Sequence, residues 1–331
     1  MKLSIILPTY NNEKTFYECL KSLVEQDFPK KEYEILVLDG GSTDKTLEIA
    51  KRFPVKIIKN PKKSEEPARI LGISMAKGEI LAFIDADNVV LGKDWISKML
   101  APFKDKEIAF ADTLYFSYRK KDPMKVRYQA LIGGDDPLAA YLGLYSRWCY
   151  FKNNWTDFPY SSEKKQGYSK VKLLNKELVP AMGSNGFFIR KNILKKFVKN
   201  SFIHSDIVYD LVNYGYNCFA KVETSIVHLQ PNFFGNKIRR ILRRMKNEVK
   251  IKYNYNVNKE NAFKSALRLA FIFPIFIDMI KGYRKKPDSA WLFHFPATIV
   301  LIALHFYYNT IGKFYIKELC CMNPKNQHSS F

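Results

Sequence analysis

Over the first 110 residues, short apolar runs alternate with segments whose apolar residues recur at helical spacing, and few layered folds accommodate that alternation. Leu3 to Leu7 reads as a strand, followed after an Asn11-Asn12 cap by a helix with Phe16, Leu20, Leu23 and Val24 on one face. "YEILVLDGGSTDKTLEIAKRF" repeats strand, turn and helix, with Ser42 or Thr43 expected to cap the helix. "VKIIKN" is a third short strand, and "EPARILGISMAKG" a further helix ending at Gly78. Links this short imply a mostly parallel sheet with helices on both faces, an α/β architecture suited to nucleotides that does not by itself assign chemistry.

The stretch Glu79 to Ile84 is a buried strand, and "FIDADN" ends it with Asp85 and Asp87 where the chain leaves the sheet. In open α/β sheets that exit is where ligands bind. Two hard oxygen ligands one residue apart suit Mg²⁺ or Mn²⁺, which can bridge a substrate's phosphates; the competing reading is an acidic cap before the "KDWISKML" helix. In "LDGGSTDKT", Asp39 stands at a strand end, where an acid can hydrogen-bond a base or ribose. No Gly-Lys-Ser/Thr follows and the glycines do not form GxGxxG, so neither a P-loop nor a dinucleotide fingerprint is present.

Fifty-four Lys and Arg against 32 Asp and Glu give a formal charge of +22, which attracts phosphate-bearing partners: nucleic acid, an anionic membrane face or nucleotides. The absence of a nucleic-acid recognition motif ranks nucleic acid last. Five scattered cysteines without CxxC spacing indicate neither a disulfide framework nor a zinc site, and suggest a reducing compartment. The apolar run in "MKLSIILPTYNN" is too short for a signal peptide.

"SIILPTYNNEKT", "ILVLDGGSTDKT", "ARILGISMAKGEILAFIDADN", "GSNGFFIRKNIL" and "HSDIVYDLVNYGYN" follow one another in the order and spacing of family 2 glycosyltransferases with the GT-A fold, a resemblance covering about residues 3 to 230. It implies an inverting transferase that takes a sugar from a nucleotide-diphosphate donor and uses a divalent metal, Mg²⁺ or Mn²⁺, on its DxD motif. Pro8, Thr9, Tyr10 and Glu13 match the family's first donor-binding turn, Asp39 the acid contacting the nucleoside, and Arg69 the basic residue near base and phosphates. Asp85 would face ribose and metal, with Asp87 the main metal ligand and His228, in "SIVHLQP", a candidate to complete the metal shell. Gly183, Ser184 and Asn185 match the loop at donor sugar and acceptor. Asp206 matches the general base that deprotonates the acceptor hydroxyl, with Asp210 as fallback; read without the resemblance, Asp206 is an acid at a helix N-terminus. Gly40 and Ile70 stand where the family commonly has an acid and an Asn. Leu144 stands where the QxxRW motif of processive synthases needs Gln before Arg147-Trp148, so polymer synthesis is not expected.

The expected organisation is 1–110 as the nucleotide-sugar half, 111–235 as the acceptor and catalytic-base half, and 236–331 as a helical membrane-associated region. "NKIRRILRRMKNEVKIKY" is a basic amphipathic helix suited to an anionic membrane surface. "LAFIFPIFI", interrupted by Pro274, looks interfacial; residues 289–312 lack charged side chains and are long enough to span, Pro296 and two histidines favouring a buried or monotopic hairpin instead. Lys281, Arg284, Lys285 and Lys286 put their link on the cytoplasmic side, so at most one span fits a catalytic domain on that face. The expected acceptor is a lipid-linked glycan. The alternatives are transfer to a polyprenyl monophosphate, whose phosphate is itself the nucleophile, and a non-catalytic lipid-binding protein.

Overall fold

A computed structural model describes residues 1–198, 202–229, 259–271 and 273–307. The strands are β1 (Leu3–Thr9), β2 (Tyr33–Asp39), β3 (Lys56–Lys59), β4 (Ile80–Phe83), β5 (Asn88–Val90), β6 (Phe110–Phe116), β7 (Tyr160–Lys165), β8 (Tyr168–Leu173), β9 (Phe187–Arg190) and β10 (Cys218–His228). The helices are α1 (Phe16–Val24), α2 (Thr46–Ala50), α3 (Glu65–Met75), α4 (Trp95–Leu100), α5 (Met124–Ile132), α6 (Pro137–Tyr141), α7 (Lys191–Leu194), α8 (His204–Asn213), α9 (Lys259–Ala270), α10 (Phe273–Lys285) and α11 (His294–Tyr307), with a 3₁₀ turn at Ser289–Phe293.

One sheet runs through the first 230 residues in the order β3-β2-β1-β4-β9-β6-β10-β8-β7, with β5 paired to β10. β1, β2, β3 and β4 are mutually parallel; β9 runs against both β4 and β6, and β10 runs with β6. With β5 and β8 also antiparallel to β10 and β7 antiparallel to β8, seven of the ten strands point one way, so the sheet is mixed but mostly parallel in strand direction. Alternation along the strands explains why both faces are covered. On β1, Ile6 packs with Leu36, Leu81 and α3 on one face, while Ile5 and Leu7 pack with α1 and α4 on the other.

Two expected caps fall elsewhere. Asn11 and Asn12 do not cap α1; they stitch the turn after β1 to the turn after β2, the Asn11 N–H donating to Ser42 Oγ (3.0 Å) and the Thr43 N–H to Asn11 Oδ1 (2.9 Å). The orphan amides at the start of α2 go instead to Asp44, which accepts from Thr46 (3.0 Å), and to Glu13, which accepts from Lys45 (3.2 Å).

The C-terminal helices dock on α5 and α6 through a separate apolar cluster containing Tyr128, Leu131, Tyr141, Phe151 and Trp291. Gly282 is required there, because a Cβ would lie 2.3 Å from the Trp291 ring. His294 is fully buried between Tyr128 Oη (2.7 Å) and Tyr141 Oη (3.1 Å), and burial pushes its imidazole down to about 3, so it is a neutral core residue. The apolar stretch that begins at Ser289 thus enters protein first, breaks at the 3₁₀ turn, and continues as a helix of 14 residues. Among the described residues no helix is long and apolar enough to cross a membrane. The basic stretch 236–253 and residues 308–312 lie outside the described residues.

Candidate functional site

The carboxyl ends of β1, β2 and β4 open into a cleft of about 470 Å³. Pro8, Thr9 and Tyr10 line it at the end of β1. Asp39 does not line it; its carboxylate accepts the N–H of Gly41 (2.9 Å) and Ser42 (3.2 Å) and so shapes the turn beside Tyr10. Glu13 is likewise outside, holding the start of α2.

The turn after β4 presents the two acids, and Asn88 builds it. The fully buried Asn88 accepts the Asp85 N–H on Oδ1 (3.1 Å) and donates from Nδ2 to Asp87 Oδ1 (3.2 Å). Asp85 points to α3, where the buried Arg69 donates to its Oδ1 at 2.9 Å; Arg69 also meets Glu65 (2.5 Å) and His204 Nδ1 (3.4 Å). Burial pushes the Asp85 carboxyl up to about 6, against the pull of Arg69. Asp87 faces the other way, its Oδ2 lying 3.1 Å from His228 Nε2.

Strand register explains how residues so far apart in sequence meet. β10 is irregular between Val222 and Ser225, after which Ile226, Val227 and His228 pair antiparallel with Val90, Val89 and Asn88. The Leu229 N–H closes the contact on the Asp87 carbonyl (2.9 Å). The buried Gln129 amide of α5 then bonds His228 Nδ1 at 2.8 Å, which leaves Nε2 toward Asp87. Burial opposes the charged imidazole, but the Asp87 carboxylate outweighs it and raises the His228 pKa.

The far wall comes from the loop before β9 and from residues 144–147. Ser184 and Asn185 line the cleft; Gly183 sits behind them with φ +111°, where a Cβ would lie 2.7 Å from the His204 carbonyl oxygen. The Ser184 and Asn185 carbonyls accept from Arg147 Nη2 at 3.3 and 2.9 Å. Arg147 is itself anchored on Asp112, whose Oδ2 also takes Lys221 Nζ (3.0 Å), and Lys221 donates further to the Thr113 (2.9 Å) and Ser146 (2.6 Å) carbonyls. All three charged groups are buried, and burial pushes the Lys221 amine down to about 7 although Asp112 opposes this. Asp206 lies in the first turn of α8 and does not line the cleft, nor does Asp210; His204, from the same turn, does, as do Asp135 and Asp136.

The structure therefore brings together Pro8, Thr9, Tyr10, Arg69, Asp85, Asp87, His228, Ser184 and Asn185, and leaves Glu13, Asp39, Gly183 and Asp206 outside the lining. Sequence reasoning missed Asn88, Gln129, Arg147 and His204. Asn88 was legible as an Asx residue after the acids. Gln129 and Arg147 lie in a region without interpretable periodicity.

Residues 4–196 match the model for "Glycosyl transferase family 2". Over 96 residues the chain is 41% identical to the poly(ribitol-phosphate) beta-N-acetylglucosaminyltransferase TarS of Staphylococcus aureus, a match covering 27% of this chain and 17% of that protein. It is 38% identical over 91 residues to glycosyltransferase AglE of Haloferax volcanii, covering 26% of this chain and 30% of the relative. It is 41% identical, also over 91 residues, to a dolichyl N-acetyl-alpha-D-glucosaminyl phosphate 3-beta-D-2,3-diacetamido-2,3-dideoxy-beta-D-glucuronosyltransferase of Methanococcus voltae, covering 25% of this chain and 28% of the relative. The match thus spans less than a third of each of these relatives. Among solved structures, a Pyrobaculum calidifontis mannosyltransferase in complex with GDP-Man and Mn²⁺ aligns over 98% of this chain and 88% of its own, with TM-score 0.49 and 14% identity. With a family model matched over more than half its length, the chain belongs to glycosyl transferase family 2.

Proposed function

We propose that the chain transfers a sugar, with inversion, from a nucleotide-diphosphate donor to a hydroxyl of a lipid-linked glycan at an anionic membrane surface. The observation that carries this reading is the pairing of Asp87 with His228, beside the Asp85 and Arg69 pair, in one cleft at the strand ends. In it, residues 1–110 bind the donor, 111–235 bind the acceptor, and 236–331 meet the membrane. Tyr10 and the turn shaped by Asp39 receive the nucleoside, while Arg69 faces the phosphates. Gly183, Ser184 and Asn185 form the sugar and acceptor wall, stiffened by Arg147.

The residues present fit a divalent cation. Two donors 3.1 Å apart are spaced as adjacent ligands of an ion with metal–oxygen distances of about 2.1 Å. Among the described residues no group of three or more His, Cys, Asp or Glu side chains gathers to hold an ion. Carboxylate and imidazole donors suit Mn²⁺ and, less closely, Mg²⁺, which donor phosphates and water would also ligate. Asp87 and His228 would hold the ion, with Asp85 beside them; bound, it neutralises the charge that develops on the departing diphosphate.

Asp206 takes the acceptor hydroxyl proton as that oxygen bonds to the anomeric carbon and the bond to the diphosphate breaks on the opposite face. The name of one relative, which specifies a dolichyl phosphate sugar, supports a lipid-linked acceptor. One observation favours a second reading: Asp206 does not line the cleft, and a polyprenyl monophosphate acceptor needs no base.

The test is transfer from a panel of radiolabelled nucleotide sugars into lipid extract, with wild type, Asp87→Ala and Asp206→Ala, with and without Mn²⁺. Metal-dependent label in a lipid glycan, lost in both variants, is expected. Label retained by Asp206→Ala would transfer the case to the phosphate nucleophile. No label from any donor would sink both.

A further inference from the structure

Helix α10 is amphipathic in the wrong direction for a water-facing helix. Its inward side is Ile275, Asp278 and Gly282, with Asp278 paired to Arg268 and accepting from Tyr141 Oη at 3.0 Å. Its outward side is Phe273, Phe276, Ile280 and Tyr283, 72%, 38%, 47% and 52% exposed, at the spacing of one helical face. Leu292, Val300, Phe306 and Tyr307 are likewise exposed on the 3₁₀ turn and α11, and the two helices meet where Phe276 stacks on Phe295 at 4.4 Å. Eleven of the eighteen exposed large apolar side chains among the described residues fall between 263 and 307, so the apolar surface is concentrated rather than scattered.

Charge identifies the occupant. Lys281, Arg284, Lys285 and Lys286 are all exposed at the C-terminal end of the same helix, on a chain of formal charge +22. An isologous contact with a second copy would bring two such clusters into one interface. An anionic bilayer satisfies both features, taking the aromatic stripe into its interface and the lysines and arginine onto its headgroups. At 13 residues α10 is about 20 Å long, short of a hydrocarbon core of roughly 30 Å, so it lies in the membrane plane.

We propose that the outward face of α10 and α11 is a monotopic docking surface for an anionic lipid bilayer. This rests on the membrane-acceptor reading above and names the surface that serves it.

The full-length chain is to be sedimented with phosphatidylcholine vesicles and with vesicles containing about 30% phosphatidylglycerol. Wild type should bind the anionic vesicles at least roughly tenfold more tightly than the neutral ones. Phe273→Ser/Ile280→Ser/Tyr283→Ser should lose binding to both, with its circular dichroism melt retained. Lys281→Gln/Arg284→Gln/Lys285→Gln should lose only the preference for anionic lipid. Should the triple serine variant fail to fold, Phe273→Trp replaces it. Its added fluorescence should be quenched by brominated lipid, whereas that of Tyr214→Trp, on the exposed end of α8, should not. Absence of vesicle binding, wild-type binding by the folded serine variant, or equal quenching at the two sites would overturn the proposal. So would a lipid-free dimer that the serine substitutions dissolve. Vesicle binding without transfer into lipid extract would sink the acceptor reading and leave the docking surface standing; transfer without vesicle binding would do the reverse.

Discussion

Two charged clusters meet at Phe116, which lies 5.1 Å from the Arg147 guanidinium and stacks on His228 at 6.3 Å, and they have opposite characters. In the Asp112, Arg147 and Lys221 cluster every charged group is buried and its partners are protein, two of them carbonyls of the loop that walls the cleft. In the Asp85, Asp87, Arg69 and His228 cluster, the two carboxylates line a cavity, and their side chains retain 27% and 16% exposure. The first cluster expends its charge on holding a backbone; the second keeps part of its charge facing a space that a cation and phosphates can enter. Substitutions in the first should therefore be read in stability, and substitutions in the second in binding and rate.

The largest expected effect breaks the first cluster. Asp112→Ala leaves Arg147 a buried cation without a counter-ion and removes the carboxylate that opposes deprotonation of Lys221, and should cost about 3–5 kcal/mol in urea denaturation. An Asp112→Ala protein as stable as wild type would mean that water reaches this cluster and that it does not anchor the loop. Asp87→Ala is the converse experiment. Sugar transfer should fall by about 10²–10³ with little change in the melting temperature, and chelator should reproduce the loss in wild type. A destabilisation comparable to that of Asp112→Ala would erase the distinction between the clusters.

The sequence made the acid-bearing turn legible because everything that forms it is local: an apolar strand, two acids and an Asx residue within ten positions. The parallel first half was legible for the same reason, strand and helix periods succeeding each other with short links. The buried cluster was not, since Asp112, Arg147 and Lys221 are 35 to 109 positions apart and meet only through β6, β10 and an irregular strap. Arg147 was weighed only as part of a failed QxxRW motif, and its real surroundings came from Ser146 bonding the Ala181 carbonyl at 2.7 Å. His228 stood between: a strand-end histidine is visible in sequence, but its approach to Asp87 depends on the β10 irregularity.

Gln129 joins the two kinds of behaviour, because it is buried yet acts on the cavity through His228. Gln129→Ala should weaken Mn²⁺ affinity by about 10–100-fold, measured by titration calorimetry without donor, while Gln129→Glu should restore part of it. Metal affinity should also fall as pH drops through the raised pKa of His228, since the protonated ring offers no lone pair. Unchanged affinity in Gln129→Ala would confine that residue to packing.

The smallest effect, read over the single pH unit above neutral, tests how tightly the first cluster is sealed. Lys221 has a folded pKa of about 7 against an ordinary 10.5, so between those values the unfolded chain binds more protons than the folded one. Stability from this group is therefore lowest below pH 7, rises through that window, and levels off above 10.5. A single proton limits the rise to about 1.4 kcal/mol per pH unit. Other groups titrate in the same range, so the quantity to measure is the difference between wild type and Lys221→Met in urea at successive pH values. Wild type should gain on the variant as pH climbs from neutral. A flat difference would mean that Asp112 and the two carbonyls hold the amine charged throughout, and that the cluster is a compensated ion network rather than one under desolvation strain.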